Sequence, residues 1–241
     1  MASKDMYQTL KQSFREIVDK RGIRDKSLTV STQEAAGSDS LGAGKEVKLT
    51  ANFDGVAGEC FTAFPGQFSG TLATIVDMDI ENDPVQRSIY IAALNAVMNK
   101  YEMADDCLSC GEDDRVKCAQ HILNQYRKNN GKVNFLLIGY HPEMAEALAT
   151  HFPLRILDSD RDNIGKTFFG VTIEDEKEAY SDATGWAGVI VCTSSTLANG
   201  TIFDYIKLPK DVAFYGTSIA GTARILGLKR ICPYGRNEYK P

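Results

Sequence analysis

Residues 189–206, VIVCTSSTLANGTIFDYI, decide the architecture of the second half of this chain. The four apolar residues 189–192 are typical of a buried β-strand, and the small hydroxyl residues 193–196 end that strand abruptly. The segment Asn199-Gly200-Thr201 then opens a stretch with the pattern of a helix. A strand that passes through a short polar loop into a helix is the repeating element of a parallel sheet.

The same pattern recurs on both sides of this segment. Helical stretches separate a series of short apolar strands, which are predicted over 132–140, 154–160, 188–195, 212–218 and 228–232. Alternating strands and helices indicate parallel crossover connections. The second half therefore has the expected fold of a doubly wound parallel sheet.

The first half has a different pattern. Asp83 and Pro84 are typical of a helix start, and the following helix is apolar on nearly all sides, which predicts that it is buried. An amphipathic helix is predicted before it over 5–20, a short strand over 27–31 and a glycine-containing loop over 33–46. Two strands with alternating apolar residues are predicted over 47–53 and 69–80. Strands followed by a helix indicate an α+β arrangement.

We therefore expect two domains in an α/β protein. The first is an α+β domain over 1–105, and the second is a parallel-sheet domain over 106–241. A chain of 241 residues is long enough for two domains of ordinary size.

The composition limits the classes of function. The 27 Lys and Arg residues are outnumbered by 32 Asp and Glu residues, and the net charge of −5 argues against an electrostatic nucleic-acid binder. The sequence has no apolar run near the ~18 residues that a membrane helix needs, and its first residues lack a signal peptide's apolar core. We expect a cytoplasmic protein with no nucleic-acid partner and no membrane association.

Polar and small residues follow each predicted strand of the second half. Ligands of open parallel sheets bind outside the carboxyl ends of the strands, where free amides at helix N-termini suit an anion. The alternative is that these residues only cap helices and form turns, as they do in every α/β protein. The residues predicted to line a ligand cleft are Gly139, Tyr140, His141, Asp158, Thr193, Ser194, Ser195, Asn199, Thr201, Gly216, Thr217 and Ser218.

Three of the polar residues invite a more specific interpretation. Asp158 lies where a dinucleotide-binding domain places its ribose-binding acid, although Gly139-Tyr140-His141 lacks the G-x-G-x-x-G motif, and Asp158 can equally cap a turn. His141 is a candidate ligand or general acid–base. Asn95, in the buried helix, either bonds a neighbouring backbone group or projects into a cleft between the domains.

These residues resemble the heavy-metal-chelation family, which pairs an enolase N-terminal-like domain with a Rossmann-like domain. The resemblance is carried by Asn95-Ala96, Gly139-Tyr140-His141-Pro142, Leu157-Asp158, TSSTLANGT over 193–201, and Gly216-Thr217-Ser218. Ser194 stands where the family usually has glycine, and proline is missing after Gly216. The resemblance implies an interdomain cleft and a role with heavy metals or their chelates.

A cysteine-rich segment, CLSCGEDDRVKCAQH over 107–121, lies outside that family pattern. Cys107 and Cys110 form C-x-x-C, and Cys118 and His121 share one helix face, so the four residues are a candidate site for zinc or another thiophilic metal. The alternatives are a loop with incidental cysteines and a redox disulfide between Cys107 and Cys110.

The sequence thus leaves several functions open. The favoured one is a small-molecule- or anion-binding protein that acts on, or carries, a heavy metal or metal chelate in the interdomain cleft. The alternatives are a metal-free enzyme that uses an anionic nucleotide-type cofactor and a scaffold that senses a small molecule. No reaction is indicated, because the sequence contains no legible set of nucleophile, base and orienting residue.

Overall fold

The computed structural model describes residues 3–34, 46–127 and 133–237, and it places two sheets around a shared core. We call the antiparallel sheet with its helices the N-terminal unit, and the mostly parallel sheet with its helices the C-terminal unit. The predicted fold class is confirmed, since an antiparallel sheet with helices precedes a mostly parallel sheet with helices on both faces.

The N-terminal unit is an antiparallel sheet covered by a long buried helix. The elements are α1 (Ser3–Lys20), β1 (Ser27–Glu34), β2 (Val47–Phe53), β3 (Val56–Thr62), β4 (Phe68–Thr71), α2 (Leu72–Val76) and α3 (Pro84–Lys100). The strands lie in the order β3-β2-β1-β4. As the sequence predicts, the Asp83 carboxylate caps α3 by accepting hydrogen bonds from Val85 N and Gln86 N.

Helix α3 lies unusually close to β3. A Cβ atom built on Gly58 would lie 2.1 Å from the backbone nitrogen of Ala96, so only glycine allows this approach. Helix α3 therefore packs against the antiparallel sheet on one side and against the C-terminal unit on the other.

The C-terminal unit is a six-stranded sheet in the order β10-β9-β5-β6-β8-β7, parallel except for the edge strand β7. The elements are α4 (Glu112–Tyr126), β5 (Phe135–Ile138), α5 (Pro142–Ala149), β6 (Leu154–Asp158), β7 (Thr167–Phe168), β8 (Val171–Asp175), α6 (Glu176–Trp186), β9 (Val189–Thr193), α7 (Ser195–Asn199), α8 (Ile202–Ile206), β10 (Asp211–Tyr215) and α9 (Ala220–Leu226).

Both faces of this sheet are buried, but in different cores. Along β9, Val189 and Val191 contact the core formed with α4 and α5, whereas Ile190 and Cys192 contact the core that also contains α3. This alternation follows from the two-residue period of a strand. It also explains why the strand is apolar throughout, as expected for a parallel sheet covered on both faces.

Several predicted elements are wrong. The strand predicted over 69–80 is only the end of β4, because the chain continues into α2 from Leu72. The strand predicted over 228–232 is reduced to a single parallel bridge between Arg230 and Phe214. Strands β3, β7 and β8 were missed. The loop predicted over 33–46 lies mainly outside the described residues.

Two further expectations concern the whole chain. None of the helices in the described ranges has the length and apolar character needed to cross a membrane. The boundary between residues 105 and 106 stays a prediction. Residues directly after this boundary still contact the N-terminal unit, because Glu59 N donates a hydrogen bond to Cys107 O.

Candidate functional site

The candidate site lies where the order of the parallel strands reverses. The chain passes from β5 outward to β6 and β8, and then returns to β9 on the other side of β5. Such a switch point leaves a crevice beyond the carboxyl ends of the two central strands. Here these ends are close, since a Cβ on Gly139 (φ +79°) would lie 2.8 Å from Thr193 Cγ2.

A carboxylate from the N-terminal unit reaches this edge of the sheet. Glu46, the residue before β2, accepts a hydrogen bond from the Ser195 hydroxyl, with Oε2 and Oγ 3.0 Å apart. Asn199 Nδ2 lies 3.5 Å from the other carboxylate oxygen, and Asn199 Oδ1 accepts a hydrogen bond from Ala63 N. The predicted residues Ser195 and Asn199 therefore share Glu46 as a partner, which the sequence did not indicate.

Sequence reasoning missed Glu46 for a physical reason. It is a single acid at the end of a glycine-containing polar segment, where an acid is ordinarily solvated. No periodicity or spacing links it to Ser195, which is 149 positions later in the chain.

The environment of Glu46 changes its acidity. The residue keeps some solvent contact, but its carboxyl is surrounded by protein, and this burial raises the pKa of Glu46 to about 7. Hydrogen bonds from Ser195 and Asn199 lower the pKa, and the nearby charge of Asp158 raises it. Glu46 can therefore exchange a proton near neutral pH.

Two further acids lie near the same edge. Burial raises the pKa of Asp158 and of Glu176, and the charge of Asp158 further raises the pKa of Glu176. Glu176 accepts a hydrogen bond from the buried hydroxyl of Tyr205 at 2.5 Å. The edge of the sheet is therefore acidic, and its carboxyls hold their protons more tightly than exposed acids do.

The Asp158 carboxylate is already used within its own loop. It accepts hydrogen bonds from Tyr140 N (3.0 Å), Asp160 N (2.8 Å) and Asn163 Nδ2 (3.0 Å). This pattern favours the turn-forming interpretation of Asp158 over the ribose-binding one.

His141 faces a different neighbour from Glu46. Its Nδ1 lies 3.0 Å from Glu143 Oε2, and its ring meets that of Tyr215 edge-on. The contact with His141 lowers the pKa of Glu143 to about 2. His141 precedes α5 and forms a local ion pair there when it is protonated.

The amides predicted to bind an anion are largely occupied. Ser194 N donates to Tyr215 O at 2.8 Å, and Thr201 N donates to Thr196 O at 2.9 Å. Ser195 N lies 3.3 Å from Thr193 Oγ1. These contacts describe a closed turn around a five-residue helix.

The second predicted loop, 216–218, joins the two units. Asn95 Nδ2 lies within 3.1 Å of the carbonyl oxygens of Glu59, Thr217 and Ser218, and Asn95 Oδ1 accepts from Gly221 N. Ser218 Oγ also accepts from Phe61 N. Gly216 (φ +100°) lies against Ser194, since a Cβ on it would be 2.4 Å from Ser194 Oγ. Asn95 thus bonds backbone groups of both units and is completely buried. Its projection into a ligand cleft stays a prediction.

The four predicted metal ligands are not brought together. Cys107 is fully buried in the core that contains α3, whereas Cys118 contacts the core between α4 and the parallel sheet. His121 Nε2 lies 2.9 Å from the Gln125 side-chain nitrogen. Within residues 3–34, 46–127 and 133–237, no group of three or more Cys, His, Asp and Glu side chains is placed to hold a metal ion.

The thiols of Cys110 and Cys118 instead lie near Cys232. The pKa of Cys110 and the pKa of Cys118 are both raised by burial, and secondarily by charge on Cys232. The bridge between Leu108 and Arg236 explains this proximity, because it brings the chain after 107 beside the C-terminal segment.

The fold is that of a two-unit α/β protein in which Glu46, Asp158 and Glu176 approach the carboxyl-terminal edge of the parallel sheet. Crystal structures of two proteins of unknown function from the DUF364 family are similar in fold. The Pyrococcus horikoshii protein has a TM-score of 0.58 at 12% identity, over 88% of this chain and 79% of that one. The Desulfitobacterium hafniense protein has a TM-score of 0.55 at 12% identity, over 92% of this chain and 84% of that one.

No family model matches the chain, and no curated protein matches it. At 12% identity the two structural similarities establish the fold alone.

Proposed function

We propose that this chain binds a small, positively charged ligand at the edge of the parallel sheet, with Glu46 as the principal contact. The observation that carries this function is the contact of Glu46 with Ser195 and Asn199 across the two units. It places an ionisable carboxylate at the switch point, where ligands of such sheets bind.

The charge of the site favours a cation. Asp158 lies near both Glu46 and Glu176, and its charge raises the pKa of each, so a cation that replaces their protons would relieve this repulsion. The sequence alone favoured an anion because of free amides, but the amides of Ser194, Ser195 and Thr201 have partners within the protein. A positively charged metal chelate fits both this charge and the resemblance to the heavy-metal-chelation family.

The test is calorimetric titration with chemically defined probes. Hexaamminecobalt(III) stands for a cationic metal complex, spermidine for an organic cation, Zn²⁺ for a free metal ion and AMP for a nucleotide. We expect the cobalt complex to bind wild type more tightly at pH 8 than at pH 6, because protonation of Glu46 removes its charge. Glu46→Gln should lower the affinity by about tenfold or more.

The matched control is Glu146→Gln, which changes an exposed glutamate on α5 and should bind like wild type. Equal affinities for wild type and Glu46→Gln would refute the role of Glu46. Binding of AMP that is insensitive to Glu46→Gln would favour the nucleotide-dependent enzyme instead.

A further inference from the structure

The arginine on the buried side of the candidate site is not explained by ligand binding alone. Arg87 lies in α3 and is only 6% exposed. Its Nε donates to Ala198 O at 2.8 Å, and its Nη1 donates to Ile80 O at 2.9 Å and to Glu81 O at 3.2 Å. All these acceptors are backbone carbonyls, although a buried guanidinium is usually paired with a carboxylate.

We propose that Arg87 is a positioning residue for Glu46, because its guanidinium fixes the end of α7 so that Asn199 can donate to the Glu46 carboxylate. Since Glu46 is taken as the ligand contact, this role rests on the proposed function.

The contact with Ala198 is the first step. Ala198 lies in the last turn of α7 and directly precedes Asn199. Carbonyls at the end of a helix lack partners within the helix, and a cation is favourable there. The Arg87 guanidinium supplies both a hydrogen bond and a positive charge to this end.

Gly200 provides the second step. It ends α7 in the left-handed conformation at φ +86°, and a Cβ on it would lie 2.9 Å from Arg87 Nη2. The guanidinium therefore packs directly against the turn after Asn199. Arg87 holds the backbone on both sides of Asn199, with Ala198 before it and Gly200 after it.

The Asn199 side chain completes the connection. Its Nδ2 lies 3.5 Å from Glu46 Oε1, at the limit of a hydrogen bond, while its Oδ1 is fixed by Ala63 N at 3.3 Å. A small movement of α7 would break the contact with Glu46. Because this hydrogen bond lowers the pKa of Glu46, its loss should make the carboxyl hold its proton more tightly.

Arg87→Lys is the informative substitution. Lysine keeps the positive charge, but its single ammonium group cannot span three carbonyl oxygens that a planar guanidinium reaches. Gly200→Ala is a second variant, since it keeps both Arg87 and Asn199 and displaces the guanidinium with a methyl group. Asn199→Ala removes the side-chain amide itself, so it gives the largest change in Glu46 acidity that loss of this contact can cause.

The measurement is the titration midpoint of the Glu46 side-chain carboxyl by ¹³C NMR, assigned from the signal missing in Glu46→Gln. We expect Arg87→Lys, Gly200→Ala and Asn199→Ala each to raise the midpoint by about half a pH unit or more. The Arg87→Lys/Asn199→Ala double variant should be no higher than Asn199→Ala alone, because both changes remove one interaction.

Asn99→Ala is the control for a merely structural effect. Asn99 is another buried polar residue of α3, but it binds Ala57 O and Asn237 O, so its removal should leave the Glu46 midpoint unchanged. An unchanged midpoint in Arg87→Lys and Gly200→Ala, whatever their stability, would overturn the positioning role. Failure of wild type to bind any cationic probe would refute the proposed function, but the comparison of Glu46 titration midpoints would still test the role of Arg87.

Discussion

Glu46 Oε2 accepts a hydrogen bond from Ser195 Oγ at 3.0 Å, and this contact joins the two units at the edge of the parallel sheet. The carboxylate belongs to Glu46, directly before β2, whereas the hydroxyl belongs to Ser195, the first residue of α7. The site therefore requires both units to be folded and docked. Its acidity also depends on docking, because burial is the main cause of the raised pKa of Glu46.

The first prediction concerns pH and stability. The pKa of Glu46 is raised from 4.5 to about 7 on folding, so the folded chain binds more protons than the unfolded chain between these values. The Glu46 contribution to stability is fully present below pH 4.5 and is lost as the pH rises through about 7. Relative to Glu46→Gln, wild type should lose about 3 kcal/mol at most over this window.

Urea unfolding of both proteins at pH 5 and at pH 8 measures this difference. Other acids titrate in both proteins, so only the wild-type minus Glu46→Gln difference reports on Glu46. A difference that stays constant with pH would contradict the raised pKa.

The second prediction concerns Asn95. Replacing it by Leu would leave the carbonyls of Glu59, Thr217 and Ser218 and the amide of Gly221 without their buried partner. We expect destabilisation by about 3 kcal/mol or more, because each buried polar group without a partner costs about 1–3 kcal/mol. Urea unfolding measures the stability of this variant, and the control is Asn124→Leu, which changes an exposed residue of α4. Equal stability of the two variants would show that Asn95 has little structural importance.

The third prediction tests the close contact between β3 and α3. Gly58→Ala places a Cβ 2.1 Å from Ala96 N, and neither backbone can move without separating the sheet from the helix. We expect a loss of about 3 kcal/mol or more. In Gly185→Ala the Cβ meets no atom within 4 Å on α6, so this variant should gain up to about 1 kcal/mol. Thermal unfolding that ranks the two variants in the opposite order would show that the approach of β3 to α3 does not limit stability.

The fourth prediction concerns the cysteines. Cys107 lies in a different core from Cys118, so Cys107→Ser should not change the zinc content of the purified protein. It should lower stability by about 1–2 kcal/mol, because a hydroxyl replaces a buried thiol. The measurement is the zinc content of wild type, Cys107→Ser and Cys110→Ser by elemental analysis. Stoichiometric zinc in wild type that is lost in both variants would support the predicted four-ligand site.

Much of the fold could be predicted because its signals are local. The apolar run of β9 and the Asp83-Pro84 start of α3 each lie within a few residues of sequence. The strand predicted over 69–80 failed because alternation over a short segment does not distinguish β4 from the start of α2. Strand β3 was missed because Gly58 and Glu59 obscure its apolar pattern, although both are required by contacts with distant elements.

The sequence by itself determined the two-part α/β architecture and placed Ser195 and Asn199 at the edge of a parallel sheet, because hydrophobic periodicity and loop composition are local properties. Only the tertiary structure decided that Glu46 meets them, that Asn95 joins the two units and that Cys107 lies apart from Cys118. These relationships depend on how α3 and β3 dock against the second sheet. The pKa of Glu46 depends on the same docking, since burial by residues far away in sequence raises it to about 7.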